Sequence, residues 1–63
     1  MMDKYLEAYP AVLNVKDVAE ILGVGEALVR QLIHERKLVA IRVGRLLKIP
    51  KERLIDYLEG RSA

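Results

Sequence analysis

Arg30, Gln31 and His34, with Ala27 one helical turn earlier, are the side chains of this sequence with the most to offer in specific recognition. At about 100° per residue the four fall on one helix face, and that face carries no large apolar residue. An arginine can pair with guanine through two hydrogen bonds, and a glutamine can do the same with adenine. A histidine can donate, accept or meet a phosphate, and a small alanine lets a helix seat deeply. The competing reading is an ordinary solvent-exposed face. His34 is the only histidine and there is no cysteine, so no metal site is expected. Two carboxylate pairs, Asp17/Glu20 and Asp56/Glu59, have i, i+3 spacing. They read as solvated helix surfaces rather than an acid/base site. With no glycine-rich phosphate loop and no partnered nucleophile, the sequence predicts neither an enzyme nor a cofactor, and no small-molecule substrate is evident.

Charge is distributed unevenly. The formal net charge is +2. Residues 1–29 balance at −3, residues 30–53 at +6 and residues 54–63 at −1. The middle block holds Arg30, Arg36, Lys37, Arg42, Arg45, Lys48, Lys51 and Arg53 against Glu35 and Glu52. A basic block beside an acidic one points to a polyanionic partner, against the alternative of a solvated surface with no partner. The lack of cysteine fits a reducing cytoplasm. No apolar run approaches the roughly 20 residues that span a bilayer, so no membrane role is expected. A chain of 63 residues is one domain. It buries only about 60% of its unfolded surface, and with three aromatics (Tyr5, Tyr9, Tyr57) its core must be aliphatic.

The elements that must position these residues can be read in order. Residues 1–13 are either a short helix, with Tyr5, Leu6 and Tyr9 on one face, or an arm packed over the core. Asn14 to Leu22 reads as a helix. Asn14 is a good N-cap, Asp17 lies three residues on, and Val15, Val18, Ala19 and Leu22 make one apolar stripe. Gly23 stands in the usual stop position. Glu26 to Lys37 reads as a second helix, with Val29, Leu32 and Ile33 inward and Arg36 snorkelling outward from the same row. Val39 to Ile49 reads as a hairpin turning at Gly44-Arg45. Pro50 ends it and opens a third helix from Lys51 to Glu59, stopped by Gly60. Residues 61–63 read as a frayed tail.

Helix, glycine turn, helix, basic hairpin, helix is an order with a specific counterpart. The stretch Leu13 to Leu58 resembles the excisionase and MerR-like winged helix-turn-helix family. The likeness is carried by Leu13-Asn14-Val15-Lys16-Asp17-Val18-Ala19-Glu20-Ile21-Leu22-Gly23-Val24 and by Val29, Leu32-Ile33 and Lys37-Leu38. It continues through Arg42-Val43-Gly44-Arg45 and Lys48-Ile49-Pro50. The resemblance implies a mainly α fold with a small β-hairpin, a winged helix-turn-helix spanning residues 14–60. It implies double-stranded DNA as partner, with the second helix (Ala27, Arg30, Gln31, His34, Lys37) as reader. Arg42, Arg45 and Lys48 of the wing would contact phosphates, with Arg45 at the tip suited to a minor groove. Three departures stand out. Gly25 replaces the family's usual serine or threonine cap, Arg36 stands where a glycine is common, and Leu46-Leu47 replace a basic-then-aromatic pair.

Two roles share this domain. One is a recombination directionality factor of the excisionase kind, which bends DNA, often as adjacent copies. The other is a small MerR-like transcriptional regulator. Such regulators add a dimerisation helix and an effector domain that this sequence lacks, which favours the first. A third reading, of a different class, is a protein-interaction module that has kept the fold, motivated by Leu46, Leu47 and the N-terminal tyrosines. Self-association, as a dimer or as neighbouring copies on DNA, stays open as a partner relation.

Overall fold

Asn14 starts the first helix by reciprocal capping. Its side-chain oxygen accepts from the Asp17 amide at 2.8 Å, and its own amide donates to the Asp17 carboxylate at 3.2 Å. The computed structural model describes residues 6–60. Within them the order is β1 (Val12–Asn14), α1 (Val15–Leu22), α2 (Glu26–His34), β2 (Ile41–Val43), β3 (Leu46–Pro50) and α3 (Lys51–Leu58). This is the mainly α architecture with a small hairpin that the sequence predicts. Tyr5 and the tail 61–63 lie outside the described residues.

Gly23 ends α1 in the left-handed region, with φ 70° and ψ 34°. Its amide donates to Glu20 at 3.3 Å, and the Val24 amide reaches back to Ala19 at 3.0 Å. This double closure satisfies the last carbonyls and turns the chain sharply toward α2. Glycine suits the position because it has no Cβ to clash there.

The second helix is shorter than its sequence predicts. It ends at His34 rather than Lys37. The Arg36 amide donates to Ile33 at 3.0 Å and the Lys37 amide to Leu32 at 2.9 Å, the same closure that ends α1. Arg36 adopts φ 64° to make it, the one non-glycine residue with positive φ among the described residues. Arginine favours helix interiors, so local propensity gave no stop signal. Tertiary packing overrides it, because the chain must turn to drive Leu38 into the core, where it is 1% exposed. Arg36 therefore leaves the inward row of α2.

The sheet has strand order β1-β3-β2, antiparallel throughout. The hairpin is a two-residue turn, with Val43 opposite Leu46 and Gly44 at φ 62°. A positive φ at the first central residue alone is the geometry that takes glycine there. Val39 and Ala40, expected in the hairpin, precede β2. The strand β1 takes in Val12 and Leu13, the last two residues of the segment 1–13 that reads as an arm or short helix. Val12 and Leu13 pair with Pro50 and Ile49. A strand of three residues is too short to show a period of two, and its partner lies far along the chain.

Leu13, Val15, Val18, Ala19, Val29, Leu38, Ile49 and Leu54 form one aliphatic core, drawn from every element except β2. Burial of such side chains stabilises by about 1.5–3 kcal/mol each. Leu6 is also fully buried. A lysine ties its segment to α3: the Lys51 ammonium donates to the carbonyls of Leu6 at 3.1 Å and Tyr9 at 3.0 Å.

Candidate nucleic-acid interface

The packing of α1 against α2 buries Val29 and turns the other side of α2 outward. Ala27, Arg30, Gln31 and His34 are all exposed on it. Two of them are held by nearby acids, Glu26 at the start of α2 and Glu35 just past its end. The Arg30 Nη2 lies 3.3 Å from Glu26 Oε1, and the Gln31 Nε2 donates to Glu35 Oε2 at 3.0 Å. Lys37 also meets Glu35, at 3.3 Å. The hydrogen bond from Gln31, and then the one from Lys37 with its charge, hold the Glu35 carboxyl below the usual carboxylate range. These are exposed pairs, individually worth little, and they exchange readily for another acceptor.

Lys37 does not belong to the reading helix as expected. It sits past the end of α2, in the turn that Arg36 creates. The wing cations are also less unified than their spacing implies. Arg42 is paired with Leu47, on the face that Leu47, Ile49 and Leu13 turn to the core. Lys48 is paired with Ile41 and Asn14, so it takes the opposite face. It is half-buried, flanked by a strand on each side. Arg45 occupies the turn itself and is exposed.

A groove of about 240 Å³ joins the two halves of the molecule. It is lined by Asn14, Val15 and Lys16 at the start of α1, Glu26 and Arg30 on α2, and Arg45, Leu46 and Leu47 on the hairpin. Arg30 and Arg45, remote in sequence, thus share one concavity. Gln31, His34, Arg42 and Lys48 do not line it. Lys16 does, although the sequence reading assigned it no role. Its signal was available: it follows the N-cap and falls outside the Val15/Val18 stripe, so it must point outward at the helix start. The capping box occupies the Asn14 side chain, leaving Lys16 as the polar contact that this helix end offers.

Chemically, the groove combines three cations (Lys16, Arg30, Arg45), one carboxylate (Glu26) and three apolar side chains (Val15, Leu46, Leu47). Cations beside apolar side chains suit a nucleic-acid strand, which presents phosphates next to sugars and bases. Among the described residues no group of three acidic, histidine or cysteine side chains converges to hold a metal ion. No helix there is long and apolar enough to cross a membrane.

The model of the helix-turn-helix domain family matches residues 12–62. The match includes β1, both helices around the glycine turn, the hairpin and α3. No curated protein and no solved structure matches the chain.

Proposed function

Because the chain belongs to the excisionase-like helix-turn-helix domain family, and is by that membership a DNA-binding domain, we propose that it binds double-stranded DNA sequence-selectively as an architectural factor of the excisionase kind. In this reading α2 lies in the major groove and the hairpin grips an adjacent groove. Arg30 and Gln31 read base edges, Ala27 allows close approach, and His34 contacts the backbone. Arg45, Arg42, Lys48, Lys37 and Lys16 neutralise phosphates. The observation that carries the proposal is the shared groove, since Arg30 and Arg45 come to it from separate elements. A helix that meets bases and a turn that meets phosphates must face the same side of the duplex.

Selection of bound duplexes from a random pool, followed by footprinting, tests it. Arg30→Ala should weaken binding by about 1–3 kcal/mol and relax preference at one base pair. Arg45→Ala should weaken binding about equally on all sequences. If both variants bind like the unaltered protein, these roles are wrong. The exposed Ile41, Val43 and Leu46 favour a second reading, a protein-interaction module. Fluorescence anisotropy on random duplex at low salt separates the two, since complete absence of binding there would favour the module.

A further inference from the structure

The hairpin ends in an apolar tip that phosphate contact does not require. Val43 and Leu46 face each other across the Gly44-Arg45 turn, so their side chains stand on the same face of the ribbon. They are 56% and 57% exposed, and Ile41, two residues behind Val43 on that face, is 55% exposed. These are the three most exposed large apolar side chains among the described residues. Neither the turn nor the core accounts for them. The turn asks only for glycine at its first central position, and the core contact of the hairpin is made by Leu47 and Ile49. Leu46 also lines the groove that holds Lys16, Arg30 and Arg45. The tip is therefore an apolar pair bracketing a guanidinium, at the mouth of a cationic groove.

We propose that Val43 and Leu46 act as a wedge. They enter the minor groove beside Arg45, open one base step and kink the duplex toward its major groove at that step, away from the wedge. The inference rests on the DNA-binding reading above and adds to it a specific contact and a deformation. Two observations favour DNA over a protein as the occupant. Arg45 sits in the turn between them and Lys48 stands two residues from Leu46 on the same face, cations that complement a polyanion. The apolar part of this face of the hairpin is also small, Ile41, Val43 and Leu46, whereas a stable protein interface needs about 800 Å² on each partner. Leucine is among the side chains that unstack base steps when pressed in from the minor groove, producing kinks of roughly 20–90°. The flanking cations hold the backbone while the step opens. Flexible pyrimidine–purine steps should be the preferred place, because they unstack most easily.

The test uses the whole chain with a duplex taken from the selection above. The duplex carries end labels for energy transfer and 2-aminopurine placed at successive steps. The unaltered protein should shorten the end-to-end distance and raise 2-aminopurine emission at one step. Leu46→Ala should lose the emission rise and most of the bend, with affinity falling roughly tenfold on intact duplex. A mismatch at the kinked step should restore most of that loss. Leu46→Phe, a larger wedge, should keep both signals. Because Leu46 is exposed, these variants should melt like the unaltered protein, which a thermal scan checks. Binding without an emission rise at any step overturns the wedge alone. So does a Leu46→Ala protein that bends DNA normally, or one that loses only cooperativity between copies. No binding by the unaltered protein overturns the DNA reading and the wedge together.

Discussion

Arg36 holds a backbone conformation that glycine adopts freely, at φ 64°. For an L-residue the left-handed region costs about 1–2 kcal/mol, because Cβ crowds the following carbonyl. Glycine would remove that strain but return about 0.4–1 kcal/mol through the greater freedom of its unfolded chain. Arg36→Gly should therefore stabilise the fold by about 0.5–1 kcal/mol, read by urea unfolding, while Arg36→Ala should change it little. A loss of stability in the glycine variant would mean that the arginine side chain makes up for its backbone. Glu26 poses a different question at the same scale. Its carboxylate lines the groove and holds Arg30 at 3.3 Å. A negative charge where phosphates would sit costs about 1 kcal/mol per close contact across water. Glu26→Gln should raise affinity for random duplex by about fivefold, and it should raise affinity for the selected site less. Specificity then falls although binding tightens. Equal gains on both duplexes would show that Glu26 acts only through bulk charge.

At the scale of elements, α1 was legible in full. Its cap, its stripe and its stop are encoded by neighbours within eight residues, and Asn14, Asp17 and Gly23 each act as their chemistry predicts. The hairpin turn was legible for the same reason, as Gly44 alone permits it. What escaped was set by contacts distant in sequence. The end of α2 depends on the burial of Leu38, and β1 depends on a partner strand across the molecule. The candidate site follows the same division: the outward face of α2 could be read locally, whereas the place of Lys16 beside Arg30 and Arg45 could not. Lys51 shows a further long-range device. Its ammonium bonds two carbonyls of the N-terminal segment and so fastens that segment to the start of α3. Hydrogen bonds to charged groups are worth about 1.5–3 kcal/mol. Lys51→Met, which keeps the stem and drops the charge, should destabilise by about 1–3 kcal/mol. Hydrogen exchange should then quicken first at the Tyr9 amide, which donates to Leu6 in the fastened segment. Uniform quickening across the core would instead mark Lys51 as an ordinary packing residue.

For the whole molecule the deciding quantity is how its charge meets a duplex. The protein measures 31 × 21 × 19 Å. Its long axis is close to one turn of DNA, about 34 Å. One copy can thus touch a major groove and the next minor groove, and little more. Within that reach lie Lys16, Lys37, Arg42, Arg45 and Lys48. Four of them sit in or beside the hairpin or the helix start that faces it. Arg30, tied to Glu26, is reserved in this reading for a base rather than a phosphate. Neutralising about five phosphates releases counterions in proportion, so log K against log salt should fall with a slope near −4 to −5. The slope should shrink by about one unit in Arg45→Ala and stay nearly unchanged in Gln31→Ala. Titration by anisotropy at several salt concentrations gives all three slopes. Equal slopes for Arg45→Ala and the unaltered protein would remove the wing from the backbone. A slope near zero for the unaltered protein would mean that the basic block meets something other than nucleic acid.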